Sequence, residues 1–210
     1  MIRILIVDDH AVVRQGLKKI LSEQADMEVA GEAQSAEALL GMVGKGTWDI
    51  LIMDISMPGR SGLDVLKDIR REYPNLPVLF MSMLPEEQFA VRALKAGASG
   101  YIAKETAPEE LVKAVRKICA GGKYVSGAVA DAWVGRMSSG NGRPPHEELS
   151  EREFQVLRKI AEGKSLTSIA EELFLSVKTV TTYRARILEK MHMTSNAELI
   201  RYAVDNRLID

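Results

Sequence analysis

The chain has 210 residues, 46% of them hydrophobic, with 28 Lys and Arg against 29 Asp and Glu. This length favours one large or two small domains, the apolar content excludes wholesale disorder, and the balanced charge excludes a uniformly basic nucleic-acid coat. The single cysteine, Cys119, excludes a disulfide framework and a multi-cysteine zinc site. No apolar run approaches the ~20 residues that cross a bilayer, and the start has no signal-peptide pattern, so we expect a cytoplasmic protein without membrane contact.

Residues 1–120 alternate between short apolar runs and amphipathic stretches. Apolar runs without a polar alternation are typical of strands covered on both faces of a parallel sheet. We predict strands at 4–7, 29–30, 50–53, 78–81 and 101–103, and later helices at 36–44, 62–73, 86–96 and 107–119. The first helix carries its apolar stripe on Val13, Leu17, Ile20 and Leu21. Five strands alternating with five helices predict an α/β fold with a five-stranded parallel, doubly wound, flavodoxin-like sheet.

The pattern changes between residues 121 and 148. A short amphipathic stretch at 126–137 is followed by turn formers without an apolar residue at 138–145. This composition is typical of a flexible linker. We therefore predict an α/β domain over 1–120, a linker with a short helix over 121–148, and a second domain over 149–210.

The second domain has helical signals only. Ser150 with Glu153, and Ser195 with Glu198, have the spacing of capping boxes that open two helices. Gly163 has the position of a residue that ends a helix. Between these points we predict a short helix, a turn at 174–176 and a longer helix at 177–192. The second domain is thus a small all-α unit.

Five polar residues fall at the carboxyl ends of the predicted strands: Asp8 and Asp9 after the first, Asp54 after the third, Ser82 after the fourth and Lys104 after the fifth. In a doubly wound sheet these ends share one edge, and the first and third strands are neighbours at the topological switch point. Three converging carboxylates repel one another unless a cation joins them, and such oxygen ligands suit Mg²⁺. A carboxylate, a metal, an ammonium and a hydroxyl together predict phosphoryl transfer to an aspartate.

These residues lie in motifs that resemble the receiver domain of response regulators over about residues 1–120. The motifs are VDDH (7–10), MDISMPG (53–59), GASGY (97–101) and Lys104. The resemblance implies that Asp54 is the phosphoacceptor. It also implies that Asp9 and Asp54 bind Mg²⁺ directly with the Ser56 carbonyl, and that Asp8 binds it mostly through water.

The same resemblance implies roles for three further side chains. Lys104 pairs with the phosphoryl group, Ser82 follows that group inward, and Tyr101 changes rotamer in response. An alternative for Tyr101 is a half-buried aromatic of the core. Met83 stands where many receivers carry a small residue, and we expect it to narrow access to the phosphate.

The predicted helix at 177–192 is more basic than its domain, with four Lys or Arg and one acid. One side is apolar, formed by Val177, Val180, Ile187, Leu188 and Met191. The opposite side carries Lys178, Thr181, Thr182, Ala185 and Glu189. Small and hydroxyl side chains on an exposed helix fit a DNA major groove, and the preceding short helix and turn complete a helix-turn-helix. The charge alone is also typical of an ordinary exposed helix.

Residues 149–210 resemble the LuxR-type helix-turn-helix, and with the receiver the chain is similar to response regulators of the NarL/FixJ family. The motifs are LSERE (149–153), GKS (163–165), IA (169–170), LSVKTV (175–180) and KM (190–191). The segment TYRAR (182–186) is similar to the GacA/UvrY-like branch. The resemblance implies base contacts by Thr181, Thr182 and Ala185. It implies phosphate contacts, or packing beside them, for Lys178, Thr179, Tyr183, Arg184, Arg186 and Lys190.

The last predicted helix begins near residue 196. We expect it to bury Leu199 and Ile200 and to expose Asn196, Tyr202 and Val204. The family resemblance implies that this helix dimerises the domain, with Leu199, Tyr202 and Ala203 at the interface. The alternative is a helix that only closes the domain's core.

Together these features predict a phosphorylation-dependent transcription regulator rather than an enzyme. A sensor histidine kinase donates a phosphoryl group to Asp54, and the receiver catalyses only its own phosphorylation and dephosphorylation. We expect the receiver to cover part of the recognition helix until phosphorylation permits homodimerisation and binding to double-stranded DNA. Alternatively, the linker over 121–148 is so flexible that inhibition is weak.

Three other functions remain as alternatives. A phosphatase or phosphotransferase of similar geometry needs a second acidic residue and a substrate cap, but the residue two after Asp54 is Ser56. A phosphorelay or docking module would use the helical half to bind protein, and salt-dependent duplex binding would discriminate against it. Flavin binding at the switch point is disfavoured by the acidic pocket.

Overall fold

The computed structural model describes residues 1–127, 129–130, 144–206 and 208–209, except the side chains of residues 87 and 88. The chain divides into two compact units, Met1–Gly140 and Asn141–Asp210. Over the described residues, no helix combines the length and apolar character needed to span a membrane.

The first unit is a five-stranded sheet with the order β2-β1-β3-β4-β5, in which every paired strand is parallel. The strands are β1 (Ile2–Val7), β2 (Met27–Ala33), β3 (Ile50–Met53), β4 (Val78–Ser82) and β5 (Gly100–Ala103). The helices are α1 (Ala11–Ser22), α2 (Ala36–Val43), α3 (Gly62–Glu72), α4 (Glu86–Lys95) and α5 (Pro108–Cys119). The predicted α/β, doubly wound fold is confirmed.

The central strands are buried because the helices cover both faces of the sheet. Ile4, Ile6 and Ile50 are fully buried in the core cluster that includes α1 and α5 side chains. Burial of one such side chain contributes about 1.5–3 kcal/mol. Strand β2 extends beyond the predicted 29–30, because an edge strand pairs on one side only and tolerates polar residues such as Glu28 and Glu32.

The segment after α5 returns to the sheet. Tyr124 forms an isolated parallel bridge with Gly100 of β5. Residues 127 and 129–130 are helical, in line with the beginning of the predicted helix at 126–137. The rest of that prediction, and most of the turn-forming run at 138–145, lies on 131–143, outside the described residues.

The second unit is helical. A short 3₁₀ helix (Pro145–Glu148) precedes α6 (Glu151–Ala161), α7 (Leu166–Glu172), α8 (Val177–Lys190) and α9 (Asn196–Asp205). Helix α6 opens with the predicted capping box, in which Ser150 and Glu153 each accept the other's backbone N–H. At α9, Ser195 accepts the Glu198 N–H, but the Glu198 carboxylate accepts the N–H of Thr194, so the predicted second box forms only in part.

The boundaries of these helices follow local backbone conformation. Gly163 has a φ of +79° after α6, which is the left-handed conformation that ends many helices. Helix α8 ends at Lys190 rather than at the predicted residue 192, because His192 has a φ of +54°. Phe174, in the turn between α7 and α8, also has a φ of +54° and is 70% exposed.

Candidate functional site

The acidic residues predicted to converge do lie together at the carboxyl edge of the sheet. The Asp8 N–H donates to the Ala33 carbonyl and the Asp54 N–H donates to the Val7 carbonyl, which holds both residues at the strand ends. Ligand atoms of Asp8, Asp9, His10 and Asp54 lie within 4.8 Å of one another. The parallel sheet therefore brings residues more than 40 positions apart into one cluster.

Lys104 bridges two of the carboxylates. Its Nζ lies 2.6 Å from Asp8 Oδ2 and 2.8 Å from Asp54 Oδ2, and its side chain is 8% exposed. Burial lowers the pKa of Lys104, but the Asp54 and Asp8 carboxylates outweigh burial, and the pKa lies above its usual value. The ammonium is therefore held charged between two buried anions.

Asp54 is buried and hydrogen-bonded on both oxygens. Its Oδ2 accepts from Lys104, and its Oδ1 accepts from the Ser56 N–H at 3.1 Å. Burial raises the pKa of Asp54, and the neighbouring Asp8 carboxylate raises it further, against the opposing effect of Lys104. The ionised form of Asp54 is therefore disfavoured at this position, and an added cation would stabilise it.

The backbone after Asp54 is held close to α3. The Gly62 N–H donates to the Ile55 carbonyl at 2.9 Å. A Cβ at Gly62 would lie 2.3 Å from the Asp54 carbonyl oxygen, so only glycine permits this approach. The position of the Asp54 loop thus depends on a residue that the sequence analysis did not single out.

Asp9 and His10 form the open side of the cluster. Asp9 Oδ1 is buried and accepts no hydrogen bond of good geometry from the described residues, although His10 Nδ1 lies 2.9 Å away. The His10 ring is also 3.3 Å from Asp8 Oδ1, while its side chain is 64% exposed. The spacing of His10, His146 and His192 does not predict a ligand role for His10, although its place directly after the two aspartates is a signal for one.

Ser82 and Tyr101 are linked through the β4–α4 loop. Both are fully buried; the Ser82 Oγ accepts the Leu84 N–H at 3.3 Å, and the Tyr101 hydroxyl donates to the Leu84 carbonyl at 2.7 Å. Tyr101 is thus more buried than the half-buried aromatic considered as an alternative. Met83 is 67% exposed beside this edge.

Helix α8 exposes the predicted side. Lys178, Thr181, Thr182, Ala185, Glu189 and Arg186 are exposed, whereas Thr179 and Tyr183 are partly exposed. Val180, Ile187 and Met191 are buried on the opposite side, and Leu188 is partly buried. Val177, which the sequence places on the apolar side, is 44% exposed, because it is the first residue of the helix and has no preceding turn to pack on.

Two basic residues of α8 are bound within their own unit. Lys190 Nζ lies 2.6 Å from Glu153 Oε2, and Arg184 Nε donates to Asn196 Oδ1 at 2.6 Å. They therefore tie α8 to α6 and to the start of α9. The hydroxyls of Thr181 and Thr182 donate to backbone carbonyls one turn earlier, which leaves their oxygens able to accept.

The prediction for α9 needs correction. Leu199 and Ala203 are fully buried in the core of the helical unit, so they cannot contact a second chain. Tyr202 is half-buried and its hydroxyl lies 2.8 Å from His146 Nδ1. Ile200, predicted to be buried, is 36% exposed, and Val204 is 56% exposed. The exposed apolar residues of α9, Ile200 and Val204, therefore each lie one position after the buried Leu199 and Ala203 of the predicted interface.

Comparison with known protein families gives one match in each of the two units. Residues 4–116 match the response regulator receiver domain, and residues 147–203 match the bacterial regulatory proteins of the luxR family. The first matched segment lies within the α/β unit and the second lies within the helical unit.

Curated relatives match along their whole length. Response regulator GacA of Pseudomonas aeruginosa is 36% identical over 211 residues, covering 100% of this chain and 99% of GacA. Oxygen regulatory protein NreC of Staphylococcus carnosus is 37% identical, covering 99% of each chain. Response regulator UvrY of Escherichia coli is 33% identical, covering 99% of this chain and 96% of UvrY.

Among solved structures, the chain is similar to RcsB of Salmonella enterica serovar Typhimurium, bound to promoter rprA in the presence of phosphomimetic BeF3-. The TM-score is 0.65 at 28% identity, covering 96% of this chain and 97% of RcsB. A structure of two RcsB dimers bound to two parallel DNAs has a TM-score of 0.61 at 29% identity, covering 97% and 98%. These relatives are regulators rather than enzymes. The chain therefore belongs to the NarL/FixJ family of two-component response regulators, which join a receiver domain to a LuxR-type helix-turn-helix domain.

Proposed function

We propose that this chain is a transcription regulator whose DNA binding is controlled by phosphorylation of Asp54. The observation that carries the proposal is the cluster of Asp54, Asp8 and Lys104 in the same chain as α8, whose exposed side is basic and hydroxyl-rich. A sensor histidine kinase supplies the phosphoryl group. The domains we propose are a receiver over 1–120, a linker over 121–148 and a DNA-binding domain over 149–210.

The acidic pocket suits Mg²⁺. The buried Asp9 Oδ1 accepts no hydrogen bond of good geometry from the described residues, and it lies in a cluster of carboxylates that Lys104 neutralises only in part. Asp9, Asp54 and the Ser56 carbonyl would bind the ion directly, with Asp8 acting mostly through water. The bound ion supplies positive charge for the phosphoryl oxygens.

The chain's own residues then position the transfer. An Asp54 carboxylate oxygen attacks phosphorus as the bond from phosphorus to the kinase imidazole nitrogen breaks, and the imidazole retains that electron pair. Lys104 moves its ammonium from the carboxylates towards a phosphoryl oxygen, and the Ser82 hydroxyl donates to another. Hydrolysis of the acyl phosphate by water restores Asp54.

The second half of the proposal assigns DNA contacts to α8. Thr181, Thr182 and Ala185 face base edges, whereas Lys178 and Arg186 are free of ion pairs in the described structure and attract phosphates. Thr179 and Tyr183 lie beside these contacts. Lys190 and Arg184 act mainly by holding the helix in place, because their side chains are bound to Glu153 and Asn196.

We also propose that phosphorylation relieves inhibition by the receiver and produces a homodimer. The apolar side of α9 that carries Ile200 and Val204 forms the contact between helical domains, instead of the predicted Leu199 and Ala203. A dimer places two copies of α8 on half-sites about one helical turn of DNA apart. The structure of two RcsB dimers bound to two parallel DNAs supports a DNA-bound dimer.

The switch is tested on the full chain with beryllofluoride and Mg²⁺. We expect the mimic to produce dimers in gel filtration and sequence-selective, salt-sensitive DNA binding in the wild type but not in Asp54→Ala. Asp64→Ala, which removes a half-exposed carboxylate of α3, serves as the matched control and should respond like the wild type. Equal DNA binding in every state would refute control by phosphate.

The DNA assignment is tested by separate substitutions. Lys178→Ala should weaken binding to cognate and random duplexes alike, and should reduce the salt dependence by about one phosphate contact. Thr182→Ala should alter sequence preference, whereas Arg201→Ala, 87% exposed on α9, should leave both unchanged. If Lys178→Ala and Thr182→Ala lower binding equally on both duplexes, the assignment is wrong.

A further inference from the structure

The chain beyond α5 is fastened to the edge of the sheet by its backbone. The Tyr124 N–H donates to the Ser99 carbonyl, and the Tyr101 N–H donates to the Tyr124 carbonyl, both at 3.0 Å. We call residues 123–127 and 129–130 the strap. Because β5 is an edge strand, the strap supplies a partner at Tyr101 that the sheet itself does not.

Side chains anchor the strap as well. Tyr124 is 8% exposed and belongs to the core cluster, while its hydroxyl donates to the Glu110 carboxylate of α5. Burial raises the pKa of Tyr124 to about 12, and Glu110 contributes, so the hydroxyl remains a donor at neutral pH. Val129 is 1% exposed. The strap is therefore packed against the receiver over this stretch.

A third anchor joins the strap to α4. Glu86 Oε1, on the first residue of α4, accepts the Ser126 N–H at 2.9 Å. Ser126 begins a helical turn, because its carbonyl accepts the Ala130 N–H and its Oγ accepts the Val129 N–H. A carboxylate at the N-terminus of a helical turn is electrostatically favourable. This contact spans 40 residues of sequence and would move with α4.

These anchors connect with the loop that leaves the acidic edge of the sheet. Leu84 donates its N–H to Ser82 Oγ and accepts the Tyr101 hydroxyl, and Glu86 follows two residues later. Tyr101 in turn donates its N–H to the strap. Hydrogen bonds and short stretches of backbone thus connect Ser82, the β4–α4 loop, β5 and the strap in one network.

We propose that the strap is a release device that responds to the phosphoryl group on Asp54. The inference rests on the proposed function, and it adds the element through which the receiver state reaches the linker. When Ser82 rotates towards a phosphoryl oxygen, the Leu84 N–H loses its acceptor and the β4–α4 loop shifts. The Glu86–Ser126 hydrogen bond then breaks, and the strap separates from the receiver. The two arrangements differ by a few hydrogen bonds, a difference that one ligand contact is able to overcome.

The first test is amide hydrogen exchange of the full chain with and without beryllofluoride and Mg²⁺. Peptides that cover 52–58 report binding of the mimic, and peptides that cover 122–127 report the strap. We expect protection of the first set and about tenfold faster exchange of the Tyr124 and Ser126 amides, since both amides lose their acceptors when the strap separates. Trypsin cleavage after the exposed Lys123 should accelerate in parallel.

Substitutions at Glu86 test this hydrogen-bond network directly. Glu86→Ala removes the acceptor, so strap exchange should be fast even without the mimic and should respond little to it. Glu86→Gln keeps an acceptor oxygen and should retain the wild-type response. Glu109→Ala removes an exposed carboxylate in the first turn of α5 and is the matched control. Tyr124→Phe, which loses only the hydrogen bond to Glu110, should loosen the strap without a change in α4.

The outcomes separate this inference from the proposed function. If the 52–58 peptides are not protected by the mimic, phosphoacceptance at Asp54 fails and the coupling fails with it. If they are protected while strap exchange stays unchanged in the wild type, the proposed function stands and the strap device is refuted. The device is also refuted if Glu86→Ala behaves like Glu109→Ala.

Discussion

Lys104→Met should destabilise the receiver unless a divalent cation is present. The Lys104 ammonium lies 2.6 and 2.8 Å from two carboxylate oxygens, with both aspartate side chains 3% exposed. Removal of one member of a buried ion pair costs about 3–5 kcal/mol, because the remaining charges stay desolvated. We take about 3 kcal/mol, the lower end of that range, because the neighbouring Asp9 side chain is 22% exposed and admits some solvent.

This cost has a measurable consequence for thermal unfolding. For a domain of about 120 residues, 3 kcal/mol corresponds to a fall in Tm of about 12 °C. Saturation with Mg²⁺ at 100 times its Kd adds about 2.7 kcal/mol to any protein that binds it in the folded state. At one fixed Mg²⁺ concentration the gain should be larger in Lys104→Met than in the wild type, because the stronger repulsion between carboxylates lowers the Kd for the cation.

Scanning calorimetry of the full chain, with and without Mg²⁺, measures both effects. Lys67→Met is the matched control, since this lysine is 65% exposed and pairs with Asp64 on its own helix. Its effect should stay below about 1 kcal/mol. If Lys104→Met lowers Tm no more than Lys67→Met does, the two hydrogen-bonded contacts of Lys104 do not hold the cluster together.

Three further predictions concern stability and pH. Asp54→Asn should stabilise the receiver at pH 7, because the pKa of Asp54 is raised and its ionised form destabilises the folded state. This destabilisation develops as the pH rises above 3.8, so the higher Tm of the variant in calorimetry should disappear below that pH. Glu153→Gln should have the opposite profile. Burial raises the pKa of Glu153, but the Lys190 ion pair outweighs burial, and the pKa lies below its usual value. Slower hydrogen exchange of α6 in the wild type than in the variant should therefore be fully present above pH 4.5 and should be lost as the pH falls through the folded-state pKa. Arg70→Gln should lower the receiver Tm by about 6–12 °C, because Arg70 donates to three backbone carbonyls. Arg71 is 72% exposed, so Arg71→Gln should change the Tm little. Equal shifts in Tm for the two variants would contradict the role of Arg70.

The receiver pocket was predictable because parallel strands impose strong geometric rules. Once the apolar runs at 4–7 and 50–53 are assigned to neighbouring strands, Asp8 and Asp54 must follow them at the same edge. The alternation of β and α elements leaves little freedom for their placement. The exposed side of α8 was predictable for a similar reason, since a period of 3.6 residues separates Thr181 and Ala185 from Val180 and Ile187.

Contacts between side chains from different elements were not predictable in this way. The His10 ring beside Asp9 depends on a rotamer at the start of α1. The pairing of Lys190 with Glu153 depends on how α8 crosses α6, and periodicity within one helix carries no such information. The family resemblance placed Leu199 and Ala203 at a dimer interface, but both are buried in the domain's own core, and helical spacing does not say whether that core or a second chain covers an apolar side.

The sequence by itself determined the order of elements, the two compact units, and the residues that follow each strand, because these depend on local periodicity and on short-range capping. Only the tertiary structure decided that Lys104 bridges Asp8 and Asp54, that Ile200 rather than Leu199 remains exposed, and that the segment beyond α5 is attached to β5 and α4. The physical reason is that packing and hydrogen bonding between distant segments depend on three-dimensional distances, which no repeat within a single segment encodes.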